Sequence, residues 1–506
     1  MHPQTGFFTV KSKFFISLLG GLFLLGLGIR LYDVTDPPLG TRQLRSAIIA
    51  RGMYYQTLNS APEWMREIAV RQFHEEAIIE PPLIEMIVAS LYHLVGGEYL
   101  WLARLVSSTF WLIAGIAIYA LARDMGFPDG GIVSVVYFLF LPFAILESRT
   151  FQPDPLMVSL ITIALWSIYR WYQQQTWRMA VLAGMLTGLA IFSKTVAAFP
   201  LLAAWAGILI AGVGLRRALI EPKIWLMNIL ILLPTLIYYV YGTFISGFLV
   251  QQFSLRFFPD MLTDPAFYVR WMQQIGYRTG FGAFMLALVG LLLLRRREQL
   301  ALGVGLLLGY LVYGLSFPFH ITTHDYYQLP LVPIIALLLA PVAEAVFHQL
   351  AAFNKLTFLR LAFVGILIFG LVFTLWDVRV TLARRDDRQE YIFWEYLAEK
   401  LGRESAVIGM TQDYGYRLAY FGWLRPAHWF ISGDFQLREL AGQDADDIFD
   451  QMTGRLHGKD YFLITLFNEF DNQPQLKSLL YDHYQVYDEG PGYLIFDLKK
   501  PTSSPH

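Results

Sequence analysis

Long apolar runs separated by short polar breaks fill the first three quarters of the chain. Runs long enough to cross a bilayer fall at about 14–32, 101–122, 130–147, 156–172, 178–193, 196–214, 224–242, 280–294, 300–317, 329–348 and 357–377, which makes eleven expected spans. A twelfth apolar stretch, Pro82 to Val95, reads "PLIEMIVASLYHLV"; it is shorter and carries Glu85 and His93. Lysine and arginine concentrate at cytoplasmic ends, so their positions decide whether it counts as a span. With eleven spans and an inside N-terminus, Lys11, Lys13, Arg123, Arg178, Arg216, Arg217, Arg295, Arg296, Arg297, Lys355 and Arg360 all fall near cytoplasmic ends. With twelve, the Arg216–Arg217 pair and the triple arginine would lie outside. Residues 82–95 are therefore expected as a helix in the interface or dipping into it. No small-residue cleavage site follows the first run, Phe14 to Leu31, which predicts a retained helix rather than a signal peptide.

This topology leaves three long segments outside: 33–100, 243–279 and the tail from about 380. In the first, "PEWMREIAVRQFHEEAIIE" has an amphipathic pattern. The tail changes character. It predicts a helix at 388–402, a strand at 406–410, a helix near 444–454, a strand at 461–466, a helix at 473–480 and strands around 484–488 and 493–498. Alternation at these lengths points to a small α/β domain. The expected organisation is a multi-span domain over 1–380 and an extracytoplasmic α/β domain over 381–506. No internal repeat emerges, so an inverted-repeat transporter has no support.

Composition agrees with a membrane class. Of 506 residues, 56% are hydrophobic and 16% charged, against about 25% charged in soluble proteins; the mean hydropathy is +0.45. A net charge of −1 gives no argument for nucleic acid. With no cysteine, disulfides, thiol nucleophiles and Cys-built metal sites are excluded.

Charge is costly beside lipid, so its placement is informative. Four clusters meet the same membrane face. The first surrounds "DPPLGTRQLRSAIIARGMYYQ" (36–56), with Asp33, Asp36, Arg42, Gln43, Arg45 and Arg51. The second is "HEEAIIEPPLIE" (74–85), with Glu80 directly before a Pro-Pro. The third is "ESRTFQPDP" (147–155), between two spans. The fourth is "HITTHDYYQLPLVP" (320–333), with His324, Asp325, Tyr326 and Tyr327. Lys194 sits at the outer end of a short span. Plainer readings stand beside each. Juxtamembrane arginines commonly snorkel to headgroups, Asp154 before a proline fits a helix cap, and paired tyrosines fit an interfacial belt. His324 and Asp325 alone do not make a metal site, and no metal or cofactor is expected.

In order, "ARGMY", "EPPL", "ARLVS", "SRTFQPDP" and "HDYYQLPLVPIIALLLA" resemble the GT-C membrane glycosyltransferases. The closest branch is that of the protein O-mannosyltransferases and lipid A aminoarabinose transferases, glycosyltransferase family 39-like. The resemblance covers roughly residues 14 to 350. It implies a GT-C-like polytopic α-helical membrane protein of about eleven transmembrane helices, with in-plane helices in the first outer loop. It also implies inverting transfer of a hexose or pentose from a polyprenyl-phosphate-sugar donor to a glycan, lipid or protein acceptor outside the cytoplasm, at the cell membrane. The family's Asp-Glu pair in the first outer loop, whose Asp is the proposed base, aligns with Arg42 and Gln43 here. The cation or polar residue that commonly precedes its Pro-Pro is here Glu80. Asp154 matches the family's second outer-loop aspartate, and His324 to Tyr327 resemble its donor-facing loop.

Such a transfer needs a stabilised leaving phosphate, a deprotonated acceptor hydroxyl and a shielded oxocarbenium-like centre. Guanidinium groups suit phosphate, which makes Arg42, Arg45, Arg149 and Lys194 candidates, with His324, Tyr326 and Tyr327 beside them. The candidate bases are Asp154, Glu80 and Asp36. The exchanged signs at Arg42 and Glu80 suggest a pair with swapped roles. The tail aromatics Trp423, Trp429, Phe430 and Phe435 fit sugar contact, or ordinary packing. Two rival readings stay open: a non-catalytic polyprenyl-lipid-binding relative, and a lipid or solute transporter.

Overall fold

The computed structural model describes residues 13–250, 257–352, 357–384 and 386–501. Lys11, Lys355 and part of the 243–279 segment lie outside these. Each expected span coincides with helix, because apolar runs of this length satisfy their backbone groups internally in lipid. Among the described residues, seven helices are long and apolar enough to cross: Trp101–Asp124, Thr195–Val213, Pro222–Ile245, Pro265–Leu293, Arg297–Ser316, Asp325–Ala351 and Gly365–Ala383. Phe15–Leu31, Gly130–Phe140 and Trp177–Ser193 are shorter apolar helices, and Pro153–Gln174 is a further helix of 22 residues.

Two boundaries differ from the sequence pattern. The run expected at 130–147 breaks at Leu141, since Pro142 cannot donate to the preceding turn. A separate six-residue helix, Pro142–Glu147, then leads into the connection to the next span. The span expected at 280–294 begins fifteen residues earlier, at Pro265, and passes through a π-turn at Gly276–Gly280. The chain between the first two spans is helical too. It forms Thr41–Thr57, Glu63–Glu75 and Leu83–Val95.

Contacts divide the chain into two compact units. The first takes in residues up to Val34, Ile78–Ile84 and the chain from Trp101 through the last long helix. The second takes in Thr35–Ala77, Glu85–Leu100 and the tail from Asp386.

Small residues let the helices of the first unit approach closely, the usual route to packing without a hydrophobic drive. A Cβ at Gly188 would lie 2.2 Å from the Leu230 carbonyl oxygen, where Trp177–Ser193 meets Pro222–Val240. Arg30 is fully buried. It donates to the Gly26 carbonyl (2.9 Å), the Leu139 carbonyl (2.8 Å) and the Ser148 hydroxyl (2.6 Å), fixing both the helix break and the start of the following loop.

In the second unit the tail builds a five-stranded sheet of β1 (Val407–Met410), β2 (Ala427–His428), β3 (Tyr461–Ile464), β4 (Tyr484–Gly490) and β5 (Tyr493–Pro501). Their order is β2-β1-β3-β5-β4. β1 runs parallel to β2 and β3, while β5 pairs antiparallel with β3 and β4. The alternation of side chains sends Ile408, Met410, Phe462, Ile464 and Phe496 to one core with Trp429 and Leu480. Val407, Tyr461, Leu463 and Ile495 face the other, with Trp394 and Leu418. Helices cover both faces. Trp429 is thus core, and Phe430 packs against it.

Helices Thr41–Thr57 and Glu63–Glu75 of this unit cross at Gly52, where an added Cβ would lie 2.2 Å from Phe73 Cβ. Gly52→Ala is expected to cost about 1–3 kcal/mol, the usual toll of overpacking, read as a lowered unfolding temperature of the full chain in detergent.

Candidate functional site

Three side chains brought together from distant sequence mark the centre of the first unit. Asp154 lies in the first turn of Pro153–Gln174, where a helix N-terminus favours an anion, and is 1% exposed. Lys194 occupies an extended break (φ −161°, ψ 120°) between Trp177–Ser193 and the 3₁₀ turn Thr195–Ala197. That break aims its ammonium at Asp154, with Nζ 2.6 Å from Oδ1. Glu80, held by the prolines that follow it, brings Oε1 to 4.0 Å from the same Nζ. Lys194 therefore stands between two carboxylates, an arrangement that offsets the cost of burying its charge.

Aromatic rings close one side. Lys194 Nζ lies 5.1 Å from the Tyr326 ring centre and 6.0 Å from that of Tyr327, within reach of cation–π attraction. Tyr327 stacks on Tyr313 at 5.6 Å and 4° and on His320 at 5.4 Å and 25°. His320 in turn stacks on His324 at 5.3 Å, whose Nδ1 lies 2.8 Å from the Thr323 hydroxyl. The Asp325 side chain accepts from the Tyr326 amide at 2.8 Å and meets Arg278 at 3.6 Å.

Glu147, the first residue of the "ESRTFQPDP" stretch, extends this cluster. It ends helix Pro142–Glu147, is partly buried and accepts from Gln152 Nε2 at 3.0 Å. It lies within reach of the charges of Asp325, Asp154 and Arg278. Arg278 belongs to no stretch that stood out along the chain, and only the fold brings it near Asp325.

Arg149 is buried and donates through Nη2 to the Asp33 carbonyl at 3.2 Å. Arg104 donates to the same oxygen at 3.0 Å. Asp33 has φ 51°, so two guanidiniums hold a strained turn at the end of the first helix.

The remaining candidates, Asp36, Arg42 and Arg45, belong to the second unit. Asp36 Oδ1 accepts the Asp387 amide at 2.7 Å. Arg45 pairs with buried Glu76 at 3.2 Å; Glu76 also accepts from Tyr416 at 3.0 Å and from Arg425. Arg42 sits in the first turn of Thr41–Thr57. Arg51 from the same segment, expected near the membrane, binds Glu98 at 3.0 and 3.1 Å and donates to the Tyr420 carbonyl at 2.6 Å. Its guanidinium lies over the Tyr420 ring at 3.8 Å. Among the described residues, no group of three or more His, Asp or Glu is arranged to hold a metal.

Residues 79–240, which include Glu80, Asp154 and Lys194, match the family model of dolichyl-phosphate-mannose-protein mannosyltransferases. No curated protein matches the chain. Among solved structures it is similar to ArnT from Cupriavidus metallidurans bound to undecaprenyl phosphate, with 14% identity over 96% of this chain and 98% of that one, and a TM-score of 0.63. It is also similar to the archaeal oligosaccharyltransferase AglB from Archaeoglobus fulgidus in complex with an inhibitory peptide and a dolichol-phosphate. There the identity is 11% over 95% of this chain and 74% of that one, with a TM-score of 0.56. The chain is a multi-pass α-helical membrane protein with a small C-terminal sheet domain and the GT-C fold of these glycosyltransferases, similar over 79–240 to the dolichyl-phosphate-mannose-protein mannosyltransferases.

Proposed function

We propose that this protein moves a hexose or pentose, with inversion, from a polyprenyl-phosphate-linked donor to a glycan, lipid or protein acceptor on the extracytoplasmic side. In this reading the N-terminus is cytoplasmic and the tail domain extracytoplasmic. The observation that carries it is the buried Lys194 held between Asp154 and Glu80 beside Tyr326, inside the segment that matches the mannosyltransferase model.

The roles divide by how tightly each carboxylate is engaged. Asp154 Oδ1 lies 2.6 Å from the ammonium. It positions Lys194, whose charge meets the leaving phosphate. Glu80 is farther from the cation and its side chain keeps 15% exposure, which lets an acceptor hydroxyl reach it. It serves as the general base. Tyr326, Tyr327 and His324 wall the reacting centre against water. A non-catalytic lipid-binding relative is the second reading, favoured by the Arg42–Gln43 sequence where the family carries its acidic pair.

Binding of undecaprenyl phosphate by the purified protein tests the donor half. Saturable binding is expected; its absence for both undecaprenyl and dolichyl phosphate would contradict the proposal.

A further inference from the structure

A second polar cavity lies within the unit that carries the sheet, built from helix Glu63–Glu75 and the chain on either side of helix Tyr416–Phe421. Its volume is about 150 Å³, and Arg71, Gln72, Arg403, Trp423 and Arg425 line it. That is room for roughly ten waters, the space of one sugar ring rather than a chain.

Two features mark it as built for a ligand. Gln72 is 2% exposed, and its Nε2 donates to the Ala419 carbonyl at 3.1 Å. Its Oε1 is buried without a hydrogen-bond partner among the described residues. Such an acceptor is costly to leave unmade. Trp423 has φ 59°, a left-handed conformation that bulky residues rarely adopt. The surroundings hold it there: Arg51 lies over its ring at 4.1 Å, and Trp64 meets it edge-on at 5.5 Å. Backbone strain of this kind gathers at ligand clamps.

The charges show which ligand fits. Arg71 faces Glu404 at 3.4 Å, Arg403 faces Glu395 at 3.9 Å, and Arg425 faces Glu75 at 3.7 Å and pairs with Glu76. Each guanidinium already has a carboxylate, so a phosphate or uronate would have to displace one. A neutral polyol displaces nothing. Fixed planar donors beside acceptors suit adjacent hydroxyls, and the surface of the cavity is almost wholly polar. We propose that this cavity binds one neutral pyranose unit of a glycan. Binding here requires no donor lipid and no transfer step.

Saturation-transfer NMR on the full chain in nanodiscs, with the methyl glycosides of mannose, glucose and galactose, tests it. At least one glycoside is expected to bind saturably. Gln72→Met and Trp423→Leu are expected to weaken it tenfold or more with thermal unfolding unchanged, and Glu80→Gln to leave it as in wild type. Arg71→Met, altered at a half-exposed side chain, is expected to weaken it too, and it keeps the test valid should either buried variant misfold. The proposal is overturned if none of the three binds, if Arg71→Met and the folded cavity variants bind as wild type, if Glu80→Gln abolishes the signal, or if inorganic phosphate competes the glycoside away.

Discussion

Glu80→Gln is expected to lower the rate of glycosyl transfer by roughly 10²- to 10⁴-fold, the usual worth of a positioned general base, while donor affinity changes little. The substitution keeps size and shape and removes only the capacity to take a proton. Glu80 stands before two prolines, and its Oε1 is 4.0 Å from Lys194 Nζ. Loss of its charge leaves the tighter 2.6 Å pair with Asp154 intact, so the fold and the phosphate-facing cation survive. Single-turnover rates, measured beside lipid-phosphate titrations, separate the two quantities. A full rate in Glu80→Gln would move the base to Asp154 and reverse the roles assigned above.

Lys194→Met carries the second large effect, on two scales at once. Removing one member of a buried ion pair leaves the other uncompensated, at about 3–5 kcal/mol. Asp154, 1% exposed, is then a buried anion whose described cation is gone. Thermal unfolding in detergent is expected to fall accordingly. Donor affinity is expected to drop by about 2 kcal/mol or more, roughly thirtyfold, the cost of deleting a buried charge partner from a complex. The double variant Lys194→Met/Asp154→Asn separates these losses. It removes both charges and is expected to recover most of the stability but none of the lipid-phosphate affinity. Recovery of both would make the pair purely structural.

Apolar length made the helices legible, and short apolar runs alternating with helical stretches made the strands of the tail so. β1, β3 and β4 each fall within a residue or two of the expected runs, and β5 runs three residues further, to Pro501. Helix Ser432–Leu440 does not show along the chain because its sequence, SGDFQLREL, is short and polar on average, and it buries no residue fully. The break at Leu141 was hidden because hydropathy does not register what a proline does to hydrogen bonding.

The site was legible in its parts and not in its pairing. Glu80, Asp154, Lys194 and the 324–327 stretch stood out as charge beside lipid. Nothing along the chain says that Lys194 and Asp154, forty residues apart, form a 2.6 Å ion pair. Nor does it say that Arg278 meets Asp325. Arg45 and Arg51 carried the same charge signal as Lys194. Their partners are Glu76 and Glu98, with Arg51 also sealed under Tyr420. A positive charge near a span marks a place where something anionic must be met, and only the fold says whether that partner is internal.

The central claim is transfer itself. The most direct test incubates the purified protein with a labelled sugar on a synthetic polyprenyl phosphate and a broad set of glycan, lipid and peptide acceptors, in wild type and in Glu80→Gln. The account predicts that wild type moves label to at least one acceptor, while Glu80→Gln binds donor and does not. Donor binding by wild type with no transfer to any acceptor would contradict it, and would make the protein a lipid-binding relative.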